Sequence, residues 1–294
     1  MTILENGAFY MSEESKFRPK ITFLSKEATT CPVCEEKFFN ENLMIGGGRL
    51  IADEITDKLH RTYKPSAKFG KIYPLIYSVM VCPHCYYASL QTDFEKISDE
   101  GIEALKEKTL ERIEFANKLC GEPIDYTKYK TLKSGAVSYV LAVQCYDYFN
   151  KKQLPVIKQA ICSVRAAYLF EDLNKEYPNR YYDYLSEMFY KKALFFYEYA
   201  TELNRIKEQI METLKPLGPD IDKDYGYDGL MYMIAVLTYC YGDKSDPERR
   251  KKDLEKAKLY FGKLFGMGKS NVDKPKEILE KSRYFYEIIT KELK

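Results

Sequence analysis

The chain has no tryptophan, only two histidines, no long apolar run and no surplus of either charge. Each lack removes a class of function. Its 46 lysines and arginines nearly cancel 44 aspartates and glutamates, leaving +2, so no overall field draws it to nucleic acid or an anionic membrane. The longest apolar stretches, such as Leu230 to Leu237, fall far short of the ~20 residues that cross a bilayer, and no membrane insertion is expected. Residues Met1 to Arg18 are mostly polar and lack the apolar centre of a signal peptide. The expected compartment is therefore cytoplasmic, where the redox poise disfavours disulfides and paired cysteines bind metal or do thiol chemistry.

Catalytic signatures are also missing. Gly46-Gly47-Gly48 has neither the lysine nor the hydroxyl of a phosphate-binding loop, and reads as a flexible turn. His60, beside Arg61, has no nucleophile to pair with and reads as a surface residue. No convergent set of acid, base and nucleophile emerges, and a non-enzymatic protein is expected.

What is present begins with cysteine. Cys31-Pro32-Val33-Cys34 and Cys82-Pro83-His84-Cys85 each place two thiols one tight turn apart. Together they supply the four sulfurs of a closed, tetrahedral zinc site. Proline after the first cysteine presets the bend. With four thiolates available, His84 is not expected to be a ligand. No βαβ pattern surrounds either pair, which weighs against thioredoxin-like chemistry. The predicted cofactor is thus structural Zn2+ on Cys31, Cys34, Cys82 and Cys85. The other four cysteines, Cys120, Cys145, Cys162 and Cys240, stand singly in apolar helical patterns and are expected to pack in the core.

A hydrophobic fraction of 45% with 31% charged residues fits a folded chain. The first third is irregular. Ile21-Thr22-Phe23-Leu24 is β-prone, Phe38, Phe39, Leu43 and Met44 offer a small core over the metal, Asp53 to Tyr63 suggests a short helix, and Leu75 to Val81 reads as a strand entering the second cysteine turn. From about Asp93 the pattern is helical. One helix carries Ile102 to Cys120 and is closed by Gly121-Glu122-Pro123. Others run from Ala136 to Phe149, from Pro155, and from Tyr181 to Leu214. Three more follow, through Leu230–Tyr241, Leu254–Leu264 and Ile278–Ile289. The predicted class is α+β, mostly α: a small zinc-ribbon-like module with an insert over residues 1–92, then a tetratricopeptide-like helical repeat domain over 93–294. Ala193 with Tyr197 and Ala257 with Phe261 match the small-x-x-x-aromatic step of such a repeat, although no regular period of about 34 residues appears.

Two surfaces invite partners. The insert is locally basic through Lys58, His60, Arg61, Lys64, Lys68 and Lys71, interleaved with Tyr63, Phe69 and Tyr73. It is more simply a solvated loop than a nucleic-acid surface, given the neutral net charge. The helix through Tyr181, Tyr184, Phe189, Phe195 and Tyr199 is aromatic on nearly every face, which suits central burial or a protein partner.

The residues Arg49, Asp53, the Tyr63 region and the run from Pro74 to Ala88 resemble a bacterial family, the domain of unknown function twenty-two twenty-five. Its pattern joins two Cys-Pro-x-Cys turns, the second followed by x-Tyr-Ala, to a helical, often tetratricopeptide-like region. Cys82 to Ala88 matches closely, with Tyr86 where glycine is usual; the insert matches loosely. The resemblance implies metal binding by all four cysteines and implies no reaction. The reading that follows is an adaptor or scaffold whose helical repeat binds a protein partner. The alternatives are a redox-responsive zinc protein, a sensor or chaperone that releases metal on oxidation, and nucleic-acid binding through residues 58–73.

Overall fold

A computed structural model describes residues 21–178, 180–265 and 275–294. Residues Met1 to Arg18, read above as lacking a leader, lie outside them. The chain is mostly helical, with small two-stranded sheets near its start. β1 (Thr22–Leu24) pairs with β4 (Glu41–Leu43), β2 (Thr29–Thr30) with β3 (Lys37–Phe38), β5 (Ala52–Ile55) with β6 (Arg61–Tyr63) and β7 (Val79–Val81) with β8 (Ala88–Leu90), all antiparallel. Two-stranded ladders this short are marginal alone, so their side chains must be held by something larger.

That support is helical. The helices are α1 (Asp99–Glu107), α2 (Thr109–Cys120), α3 (Leu132–Cys145), α4 (Pro155–Glu176), α5 (Tyr182–Arg205), α6 (Gly226–Tyr241), α7 (Pro247–Phe265) and α8 (Lys276–Glu292). α3 is buried on nearly every face from Ser134 to Val143. It packs on α4 to one side and on β7, β8 and the turn before them to the other. From α4 to α8 each helix packs against the next. A single hydrophobic cluster runs from Cys31 to Ile289.

Several local expectations change. The segment Asp53 to Tyr63 is no helix but the β5–β6 hairpin, because Leu59 reverses the chain at φ 56° and is fully buried. Pro74–Tyr77 is a buried 3₁₀ turn, and only Val79–Val81 is strand; Pro74 fixes a helical φ and has no N–H for a ladder. Phe38 is buried but Phe39 is exposed, since neighbours in a strand point to opposite faces. The helix expected over Ile102 to Cys120 breaks at Lys108, which has left the helical region at ψ 14°. α3 starts earlier than expected, at a capping box between Thr131 and Ser134, and gives way to a 3₁₀ turn at Tyr146. The long aromatic helix stops at Arg205, two residues before Lys207 turns left-handed at φ 62°.

One close approach holds the two parts in register. A Cβ on Gly135 of α3 would lie 2.4 Å from Ile76 Cβ and 3.0 Å from its Cα. The neighbour is backbone-anchored and cannot swing away. Gly135→Ala is expected to cost about 3 kcal/mol, the upper end for core overpacking, despite alanine's better helix propensity. Chemical denaturation measures this directly.

Tyrosine hydroxyls carry much of the remaining docking. Tyr139 donates to the Leu75 carbonyl at 2.8 Å and Tyr232 to the Asp57 carbonyl at 2.7 Å. Tyr168 donates to the Lys58 carbonyl. Each ties a helix to a loop carbonyl of the N-terminal part, which is one use of the chain's 27 tyrosines.

Candidate metal centre

Both cysteine turns are built alike. In the first, Cys31 N–H donates to the Glu36 carbonyl and Glu35 N–H returns to the Cys31 carbonyl, both at 2.9 Å. In the second, Cys82 N–H donates to the Tyr87 carbonyl and Tyr86 N–H returns to the Cys82 carbonyl, again at 2.9 Å. The residue after each second cysteine must then be left-handed: φ is 65° at Glu35 and 56° at Tyr86. That conformation favours glycine, so Tyr86 needs tertiary help. It gets it from a hydrogen bond to the Ile124 carbonyl and an edge-on contact with Tyr126 at 5.0 Å.

β2–β3 and β7–β8 thus each present one turn, and the two turns face each other. All four sulfurs lie within 4.8 Å of one another. Cys31 Sγ is 3.6 Å from Cys85 Sγ, and Cys34 Sγ is 3.5 Å from Cys82 Sγ. These separations exclude disulfides, which need about 2 Å. They lie close to the edge of about 3.8 Å that follows from four metal–sulfur bonds of about 2.3 Å in a tetrahedron. Contacts from Cys82 and Cys85 hold the Cys31 thiol down at about 4, while the contact with Cys31 pushes Cys85 far above its ordinary range. Four sulfurs this close share their protons, and full deprotonation requires a cation among them. The donor set therefore fits a metal ion. Val33 is fully buried inside the first turn, whereas His84 points to solvent.

The other four cysteines are apart from this cluster. Burial pushes the thiols of Cys120 and Cys145 to about 11 and that of Cys162 to about 12. Cys240 is raised in the same way. All four pack in or against the core.

A bacterial family described as "Uncharacterized protein conserved in bacteria (DUF2225)" matches residues 24–289. The chain belongs to this family. It is also 40% identical over 275 residues to an uncharacterized protein of Borreliella burgdorferi, covering 94% of this chain and 98% of the other. No solved structure matches. The DUF2225 match spans the helices as well as the cysteine turns, so the two parts form one family unit in sequence.

Two features of this DUF2225 chain have no local sequence signal. The first is Arg112 on α2, 4% exposed. Its Nε and Nη2 donate to the Cys85 carbonyl at 3.1 and 2.7 Å, and its Nη1 to the Leu105 carbonyl at 3.0 Å. A full positive charge is thereby fixed behind the second cysteine turn. The second is the underside of the insert. Lys58 pairs with Glu171 at 2.5 Å, Arg61 with Asp220 at 2.8 Å and Lys71 with Glu176 at 2.7 Å. These three cations are paired with carboxylates of α4 and the 214–225 connector, while Lys64 and Lys68 stay exposed.

His60 is not the surface residue expected. It is 5% exposed, its ring is stacked on Tyr168 at 4.4 Å, and Nε2 lies 3.7 Å from Asp172. Burial pushes its pKa below the ordinary 6.5, opposed by Asp172 and Glu171 and aided by Lys175 and Lys58. The unfolded chain therefore takes up a proton near pH 6.5 while the folded chain does not. Stability present above that pH is lost as pH falls through the lower folded value. His60→Phe, which keeps the stack, is expected to flatten the decline in stability between pH 7.5 and 5.5, measured by denaturation at each pH.

No described helix is long and apolar enough to cross a membrane.

Proposed function

We propose that Cys31, Cys34, Cys82 and Cys85 hold a structural zinc ion, and that the zinc-ribbon-like module so closed braces a non-enzymatic adaptor. Its tetratricopeptide-like helical array would then bind a protein partner. A closed four-thiolate set leaves no open coordination position for substrate, which favours structure over catalysis at the metal. The observation that carries the adaptor reading is on α5. Its inner face is core, with Tyr190, Ala193 and Tyr197 fully buried. Its outer face carries large apolar side chains between charged ones such as Glu187, Lys191 and Glu198: Tyr184 is 60% exposed, Met188 46%, Phe195 60% and Tyr199 44%. These positions, with Tyr181 before them, fall on one stripe at helical spacing. Large exposed apolar stripes of this kind mark protein interfaces. The partner expected is an apolar face of another protein, an amphipathic helix being the simplest fit.

The test is crosslinked co-purification from a bacterial host with the wild-type chain and with Tyr184→Glu/Phe195→Glu. Both positions are exposed, so the variant should keep its circular dichroism. A specific protein captured by the wild type and lost with the variant is expected. Identical captured sets would overturn the adaptor reading. Elemental analysis decides the metal separately: one zinc per chain is expected, and metal-free protein with four freely reactive thiols would refute it.

A further inference from the structure

A cavity of about 770 Å³ opens between the N-terminal hairpins, the start of α4 and the connector at 214–222. Cavities of about 300–1,000 Å³ at such seams are where small molecules bind. No residue of α5 lines it, so it is separate from the aromatic stripe.

Its charge is unbalanced. Lys158 and Arg165 line it from one face of α4, and each is only 6% exposed. They stand two helical turns, about 10 Å, apart along the axis. Lys96, Lys152 and Lys215 add three more cations to the lining. Against these five there are two carboxylates, and both are engaged. Asp93 is held by Lys158 at 2.7 Å, by Lys96 at 3.4 Å and by the Tyr146 hydroxyl at 2.8 Å. Asp222 lies 3.5 Å from Arg61.

Arg165 is the decisive residue. Its Nε donates to the Pro219 carbonyl at 2.9 Å and its guanidinium lies against the Tyr139 hydroxyl. Among the described residues no carboxylate pairs with it. A nearly buried guanidinium without an anion is costly to maintain, and its planar fork matches phosphate oxygens. α4 also begins beside the cavity, directly after Leu154 of its wall, and the positive end of its dipole adds to the field. The remaining wall mixes polar side chains such as Gln91 and Gln153 with an apolar strip that includes Leu154, Ile161, Leu214 and Ile221.

We propose that this cavity binds a small organic phosphate, with its anionic head on Arg165 and Lys158 and its apolar body along Ile161, Leu154 and Leu214. The surplus of cations favours a phosphate over a single carboxylate.

The experiment is isothermal titration of the full, metal-loaded chain with hexyl phosphate, inorganic phosphate and hexanol. Hexyl phosphate should bind at one site, more tightly than inorganic phosphate, and hexanol should not compete. Arg165→Gln should weaken hexyl phosphate about tenfold or more, the loss of one charged hydrogen bond. Lys152→Glu/Lys215→Glu changes only exposed side chains, so it will fold, and should weaken binding several-fold. If Arg165→Gln fails to fold, the double variant alone decides. The proposal is overturned by absence of hexyl phosphate binding at millimolar concentration, by equal affinity in the lysine variant, or by hexanol binding as well as its phosphate.

Discussion

Cys82→Ser is expected to abolish stoichiometric metal binding and to unfold the two cysteine hairpins. Four-thiolate zinc contributes an apparent ~10–16 kcal/mol in small modules, as much as the whole stability of an ordinary domain, about 5–15 kcal/mol. β2–β3 has only two residues per strand, and β7–β8 only three, with α3 packed on its other side. Hydrogen exchange should therefore lose protection first at residues 29–38 and 79–90. Deeper helices, α4 above all, should keep theirs, because their burial does not pass through the metal. Chelation of the wild type should reproduce the pattern, and acid should ease it, since each ligand must be deprotonated to bind. Unchanged protection in the hairpins of the Cys82→Ser protein would show that the metal is not what organises them.

The second large effect is expected at Arg112. Arg112→Met removes both donors to the buried Cys85 carbonyl, a stranded acceptor costing about 1–3 kcal/mol, and one of the donors to the Leu105 carbonyl, which keeps the Thr109 hydroxyl. A loss of about 3 kcal/mol in a denaturant titration is the expected outcome. There is also a specific signature. Four thiolates around a divalent ion carry net negative charge, and Arg112 is the cation fixed against that turn. Its loss should weaken metal affinity about 10–100-fold in chelator competition, as removal of outer-shell partners commonly does. Arg112→Lys should rescue little, because one ammonium cannot reach both carbonyls with the same fork. Wild-type metal affinity in the methionine variant would reduce Arg112 to a packing role.

Much of this was legible in the chain. The four-cysteine cluster follows from short spacings: cysteine, proline and cysteine within four residues imply a turn, and two such turns imply a partner for each. The helices from α4 onward follow from apolar periodicity, and Pro155 marks a start correctly because proline is tolerated in a first helical turn. The same local reasoning misread the insert. Ile55 and Leu59 have helical spacing, yet Leu59 is a left-handed, buried reversal. That conformation is held by what packs on it, including the Tyr168 and Tyr232 hydroxyls that bond the flanking carbonyls. His60 was misjudged for the same reason, since its stacking partner is more than a hundred residues away in the chain.

The sequence by itself determined the two cysteine turns, the helical character and the absence of a long apolar run, because each depends on residues within a turn or two of one another. Only the tertiary structure decided which charges are spent and which remain. It brought Lys58, Arg61 and Lys71 onto carboxylates of α4 and the connector, set Arg112 behind Cys85, and left Arg165 in a cavity with no carboxylate partner among the described residues. Those outcomes depend on distance in space, and a charge reads the same in sequence whether its partner is four residues away, a hundred, or absent.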